Sequence, residues 1–213
     1  NTNLNGNTED DCSSCGTPDP SNQIGGTPDL GALAYNGLNA TLQTMLPLPG
    51  SDAIQTGALT LLPTDLTTDE RGFPRTTGGK LDVGAVQTNY TAIQFVQQPT
   101  NTAINATINP AVTVEVLETN TNLSAPNNTD AVSGIPLPLT FSGTGTLGGT
   151  LTQTTAGGVA SFGDLKVGST VGTGNTLATT LTVTPTGVTP PLTLSATSNP
   201  FNITLEPSTV NFN

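Results

Sequence analysis

The chain has 213 residues, with 15 acidic side chains against 4 basic ones and no His, giving a formal net charge of −11. Without imidazole there is no Ser-His-Asp or Cys-His relay and no histidine metal site. Arg71, Arg75, Lys80 and Lys166 are the only cations, too few to neutralise a phosphate backbone or hold an anionic bilayer, which excludes nucleic acid as an expected partner.

Thr supplies roughly a fifth of the residues, beside 24 Gly and 17 Pro, a stock that favours strands and turns over helices. An all-β fold is therefore expected. Residues 1 to about 30 are almost wholly polar and read as loop. From Leu30 to Val86, short apolar hits such as Leu33, Leu42, Leu46, Ile54, Leu81 and Val83 are punctuated by Gly, Asn, Asp or Pro. That texture predicts short strands joined by tight turns.

The texture changes near Ala92. AIQFVQQP is followed at 111–118 by AVTVEVLE, where Val112, Val114 and Val116 alternate with Thr113 and Glu115, a strand with one buried face. Further strands are expected around 137–143, 149–154, 159–165, 177–184 and 192–204. Strands at that spacing, broken by Pro126-Asn127-Asn128, Gly157-Gly158 and Pro190-Pro191, predict an antiparallel β-sandwich. The expected organisation is residues 1–91, then a sandwich over 92–204, then a tail at 205–213. No apolar run approaches the ~20 residues of a spanning helix, so membrane insertion is not expected.

Two stretches carry a family likeness. PDLGALAYNGLNATLQTMLPLPGSDAIQTG (28–57) and TDERGFPRTTGGKLDVGAV (68–86) resemble the choice-of-anchor Q module that closes right-handed parallel β-helix surface proteins of bacteria. The likeness is specific at Asp69, Arg71, Gly72, Pro74, Arg75, Asp82, Gly84 and Ala85. It departs at Asp52-Ala53-Ile54-Gln55, where the family has Pro-Ala-Ile-Asp. Only the last coils are represented, which implies a short, truncated β-helix-like module. FVQQPTNTAINATINPAVTVEVLE (95–118), GTLGGTLTQTTAGGVASFGDLKV (145–167) and SNPFNIT (198–204) resemble bacterial Ig-like domains. Together the resemblances imply a secreted, surface-associated bacterial protein without enzymatic chemistry. The initial Asn is read as the mark of a processed or excised chain.

Several constellations were weighed for chemistry. Cys12-Ser13-Ser14-Cys15 has the spacing of a redox pair but no βαβ context, and reads as a local disulfide in an exported protein. Ca²⁺ is the one metal suited to the clustered carboxylates, yet no EF-hand loop or nonapeptide repeat appears, and no cofactor is expected. Asp69, Arg71, Arg75 and Asp82 are expected to form a polar cluster at the end of the β-helix, with Arg satisfying carboxylates and carbonyls, rather than a catalytic carboxylate pair. N-x-S/T sequons at Asn39, Asn89, Asn105, Asn122, Asn127 and Asn202 leave a glycan open as a partner. An isopeptide link from Lys166 would need Glu115 or Glu118 beside it, but the flanking residues lack such a motif.

In the tail LEPSTVNFN, Leu205, Val210 and Phe212 are candidates for a strand donated to a neighbouring subunit. The alternative for this tail is a linker stub. The functional expectation is a self-assembling extracellular filament or surface matrix of identical chains. The runner-up is an adhesin or carbohydrate-binding spacer of a larger cell-surface protein, whose sugar platform would have to use Tyr35 and Tyr90.

Overall fold

A computed structural model describes residues 26–36, 41–120 and 128–206. Their regular structure is all-β: apart from one short 3₁₀ turn at Leu59–Leu61, every element is a strand. The chain divides into two compact units and passes between them several times. Unit 1 comprises the described parts of Asn1–Thr91, Leu117–Asp130 and Thr182–Leu194. Unit 2 comprises Ala92–Val116, Ala131–Leu181 and the described part of Ser195–Asn213. No helix among the described residues is long and apolar enough to cross a membrane.

The short strands expected between Leu30 and Val86 are absent from unit 1. Among the described residues, this stretch holds only isolated antiparallel bridges: Leu30 with Pro47, Ala34 with Thr44, Thr68 with Pro74 and Thr77 with Lys80. The physical reason is the spacing of the breakers. Gly, Pro or Asn interrupts the chain every few residues, so each pairing closes one turn and stops. The Thr77–Lys80 bridge shows this: Gly78 and Gly79 both take positive φ, as a type I′ turn requires. A small core of Leu46, Ile54, Phe73, Leu81, Val83 and Val86 is nonetheless buried here.

The ladders lie mostly in unit 2, although strand residues 117–120 and 128–130 belong to unit 1. In chain order the strands are β1 (Tyr90–Gln97), β2 (Thr102–Ala103), β3 (Val112–Asn120), β4 (Asn128–Ala131), β5 (Pro136–Pro138), β6 (Thr140–Ser142), β7 (Thr146–Gly148), β8 (Thr152–Thr154), β9 (Val159–Phe162), β10 (Lys166–Gly168), β11 (Gly172–Thr182), β12 (Thr193–Thr197) and β13 (Phe201–Thr204). One sheet runs β1-β3-β4 with β9 also on β3, and another runs β12-β11-β13-β2 with β6 on β11. β5 pairs with β8 and β7 with β10 as two-stranded ribbons. The pairs β7–β10, β11–β13, β6–β11, β3–β9 and β5–β8 are antiparallel, whereas β13 and β2 are parallel, with Ile203 opposite Thr102.

The strands expected from apolar alternation are present as β1, β3, β5 with β6, β8, β9, β11, and β12 with β13. Four others escaped that reading. β2, β7 and β10 are two or three residues long, too short to display a period. β4 begins at Asn128, inside a run whose Pro and Asn predicted a loop.

β3 shows how periodicity becomes packing. Val112, Val114 and Val116 are all buried, pairing through β9 with the buried Ala160 and Phe162. The same inward phase continues two residues further to Glu118, which is also buried. A carboxylate thus occupies a core position, and its cost must be met by partners. In β11, a register irregularity between Gly172 and Asn175 is filled by Asn175 itself. Its amide accepts from the Thr144 N–H at 2.9 Å and donates to Phe201 O at 3.2 Å.

Thr179 on β11 differs from these satisfied groups: its Oγ1 is buried without a hydrogen-bond partner among the described residues. Thr179→Val keeps the shape and removes the stranded hydroxyl. It is expected to stabilise the fold by up to about 1 kcal/mol, read as an increase in the denaturant midpoint at unchanged slope. A clear loss of stability would mean that the hydroxyl is satisfied in solution.

Candidate functional site

The four polar residues singled out in the sequence meet in unit 1, and the structure adds Gln87, Thr88 and Glu118 to them. The turn 67–75 builds one half. Asp69 N–H donates to Phe73 O at 2.7 Å and Arg75 N–H to Thr67 O at 2.9 Å, while Gly72 takes φ +84 to close the tip. Within this loop Asp69 Oδ1 accepts from the backbone N–H groups of Arg71 and Phe73, at 2.8 and 3.0 Å. Asp69 Oδ2 accepts from Arg71 Nε and from Gln87 N, both at 3.0 Å. Three of the four bonds to Asp69 come from the loop itself and the fourth from Gln87 N–H, so the carboxylate sets the loop's shape and ties it to residue 87.

Arg71 projects from the tip into the interior. Its two terminal nitrogens reach Glu118 in a fork, Nη1 to Oε2 at 2.9 Å and Nη2 to Oε1 at 3.1 Å. Nη2 also donates to Gln87 O at 2.7 Å, and the guanidinium carbon lies 4.8 Å from the centre of the Phe73 ring. Glu118 Oε1 takes a further bond from Asn89 N–H at 3.0 Å. All three charged side chains, Asp69, Arg71 and Glu118, are fully enclosed. Burial works against the Arg71 charge, but Glu118 and Asp69 outweigh it and raise its pKa above the ordinary arginine value.

Arg75 and Asp82 form the adjoining half. Arg75 donates to the carbonyls of Asp82 and Gly84, at 3.1 and 2.6 Å, and to Gln87 Oε1 at 3.3 Å. Its pKa is lowered by burial, with Asp82 and Asp69 opposing the shift. Asp82 Oδ1 accepts from Gln55 N–H and Gln87 Nε2, and Oδ2 from the Thr88 N–H and hydroxyl. Burial still dominates, and the Asp82 pKa is raised above the ordinary carboxylate value. Folding therefore favours protonated Asp82, and this group's contribution to stability declines as pH rises from about 3.8 through the raised value.

Chemically, this cluster is a tie. Both Asp69 and Asp82 have each oxygen engaged by two donors, which leaves neither free to act as a base or nucleophile on an incoming group. Among the described residues no group of three or more His, Cys, Asp or Glu is placed to hold a metal ion. Cys12 and Cys15, and Val210 and Phe212 of the tail, lie outside the described residues. Leu205 is described and is 75% exposed. Lys166 is exposed on β10, while Glu118 is taken up by Arg71 and Glu115 accepts from Gln94, so an isopeptide link has no buried site of the kind considered. Tyr90 is buried with its hydroxyl donating to Pro47 O at 2.7 Å, which removes it from any sugar-stacking surface.

A second feature of unit 1 is open to solvent. The segment 29–34 runs antiparallel to 44–48, with Gly31 N–H on Leu46 O at 2.8 Å, Leu48 N–H on Asp29 O at 2.8 Å, and Ala34 and Thr44 exchanging bonds. Beside this ribbon lies a groove of 530 Å³ lined by Leu30, Leu33, Leu42, Met45 and Pro47, with Glu70 as its one charged residue. Leu33 and Leu42 are 58% and 57% exposed. The sequence pattern predicts short strands through these leucines. Their exposure follows from the ribbon having, among the described residues, a single partner segment and no layer over its outer face. No family model matches the chain, and no curated protein matches it.

Glu118→Ala is expected to cost about 3–5 kcal/mol, because it leaves Arg71 buried without its main partner. The paired change Arg71→Met with Glu118→Leu should recover much of that loss, as measured by denaturant unfolding of all three proteins. Recovery by neither route would mean that the ion pair is not what holds the site.

Tyr90 gives a pH signature. Burial first, and then the charge of Glu118, raise its pKa well above 10. Above pH 10 the unfolded chain releases this proton and the folded chain keeps it, so stability falls as pH rises beyond 10. In Tyr90→Phe that alkaline decline should flatten, although loss of the Pro47 bond costs about 1 kcal/mol at neutral pH. An unchanged alkaline decline would assign it to other groups.

Proposed function

We propose that the protein is a non-enzymatic structural subunit of a bacterial extracellular filament or surface matrix, its copies joined by edge-strand complementation. The observation that carries this reading is the contrast between the charge of the chain and the sparse charge of the unit 1 ribbon, where Asp29 stands at one end and the stretch 30–33 is uncharged. At −11 the copies repel one another, and a contact between them has to be made where that charge is missing. The ribbon offers such a place, with exposed leucines and one carboxylate at its rim.

Other supports point the same way. The resemblance of 28–86 and of the second half to modules of bacterial surface proteins suits an exported building block. The residues that carry that likeness, Asp69 with Arg71 and Arg75 with Asp82, are spent on internal ties. The adhesin or carbohydrate-binding reading draws less support, since Tyr90 is internal and Tyr35 is the exposed tyrosine among the described residues.

Because apolar and main-chain contacts would act against net repulsion, assembly should strengthen as ionic strength rises. At 0.1 M salt the screening length is already about 10 Å. Negative-stain microscopy and sedimentation of the purified chain from low to high salt check this. Regular filaments or growing oligomers are expected. Subunits that separate as salt rises would replace the proposal with ion-pair association, and discrete monomers in every condition would remove it.

A further inference from the structure

The outer edge of the ribbon carries a more specific inference, which rests on the structural-subunit reading above. The bonds to 44–48 use Asp29, Gly31 and Ala34, and leave the N–H and C=O groups of Leu30, Ala32 and Leu33 without a partner among the described residues. Leu30, Ala32 and Leu33 are exposed, and Leu33 sits at a bend. An open strand edge beside an apolar groove is the geometry that an added strand requires. Its main chain completes the ladder while alternate side chains fill the groove.

The occupant can be chosen by chemistry. It must be extended, nearly uncharged and apolar at every second position, because the groove holds Glu70 and the whole molecule is acidic. Four segments of the chain lie outside the described residues: 1–25, 37–40, 121–127 and 207–213. The first carries Glu9, Asp10, Asp11 and Asp19, while the second and third offer only a Leu spaced two residues from a small Ala, Leu38 with Ala40 and Leu123 with Ala125, the latter followed by Pro126. Residues 207–213 (PSTVNFN) are uncharged and place Val210 and Phe212 two apart, on one face of an extended chain. Four residues of strand span about 13 Å, the reach of the open edge, and a groove of 530 Å³ has room for both side chains.

We propose that residues 207–213 of one copy add as a strand to the 30–33 edge of a second copy, with Val210 and Phe212 seated among Leu30, Leu33, Leu42 and Met45. Donor and acceptor are different surfaces of the same chain. The contact is therefore heterologous and propagates into a filament unless it closes into a ring.

The test uses the full chain and two variants, Phe212→Asp in the donor and Leu33→Asp at an exposed acceptor position. Circular dichroism and thermal unfolding confirm that each variant still folds. In sedimentation velocity under conditions where the parent chain assembles, each variant alone should associate at least ~10-fold more weakly, a change of about 1.4 kcal/mol. Mixed together they should form a 1:1 dimer and stop, because the mixture holds one intact donor and one intact acceptor per pair.

Variants that assemble like the parent would overturn this donor and acceptor while leaving the structural-subunit reading in place. A mixture that remains monomeric would overturn head-to-tail pairing. A parent chain that is monomeric at every salt concentration, including one whose tail fills its own groove, would overturn both.

Discussion

The fork between Arg71 and Glu118 is the constraint on which unit 1 depends. It joins the turn 67–75 to the end of β3, residues 47 apart in sequence, through two bonds of 2.9 and 3.1 Å. Each partner is fully enclosed, so neither can return to water without the other losing its compensation. Asp69 holds the backbone of the turn and the Nε of the same guanidinium, coupling loop shape to ion pair. Gln87 then links this half to the Arg75–Asp82 half, donating to the Asp82 carboxylate and accepting from Arg75 and the Asp82 backbone. Three carboxylates and two guanidinium groups are therefore arranged so that every charge faces several donors or acceptors.

That arrangement explains how unit 1 holds together with so little regular structure. In unit 2, backbone polar groups are satisfied along ladders, and apolar residues such as Val112, Val114 and Phe162 fill the space between them. The described residues of 30–86 have turns and single bridges, and there side-chain oxygens take the place of ladders. Asp69 accepts three backbone N–H groups and Asp82 accepts two, which otherwise would be buried and unpaired. The two units thus represent two solutions to one requirement, and the first depends on charge far more than the second. It follows that Asp69, Asp82 and Glu118 are structural material.

The surface of unit 1 carries the opposite character. The ribbon formed by 29–34 and 44–48 has a buried side, with Thr44 and Leu46, and an open side with Leu33 and Leu42. A strand edge that is exposed and apolar is a liability for a chain meant to remain alone, and natural proteins usually blunt it with charge or Pro. Here the open stretch 30–33 contains neither.

The sequence alone determined the all-β character, because Thr, Gly and Pro at short spacing permit strands and turns and little else. It also determined the alternation of β3 and the gathering of Asp69, Arg71, Arg75 and Asp82, whose residue types require one another once buried. Glu118 was legible in principle, since it stands in phase with Val112, Val114 and Val116, but a carboxylate in that phase makes sense only when its partner is known. Gln87 carried no local signal. Tertiary structure alone decided that the apolar hits of 30–86 would be bridges and turns, that Tyr90 would turn inward to Pro47, and that Leu33 and Leu42 would face solvent. The reason is the same in each case: periodicity records which residues share a face, while the burial of that face depends on which distant segment arrives to cover it.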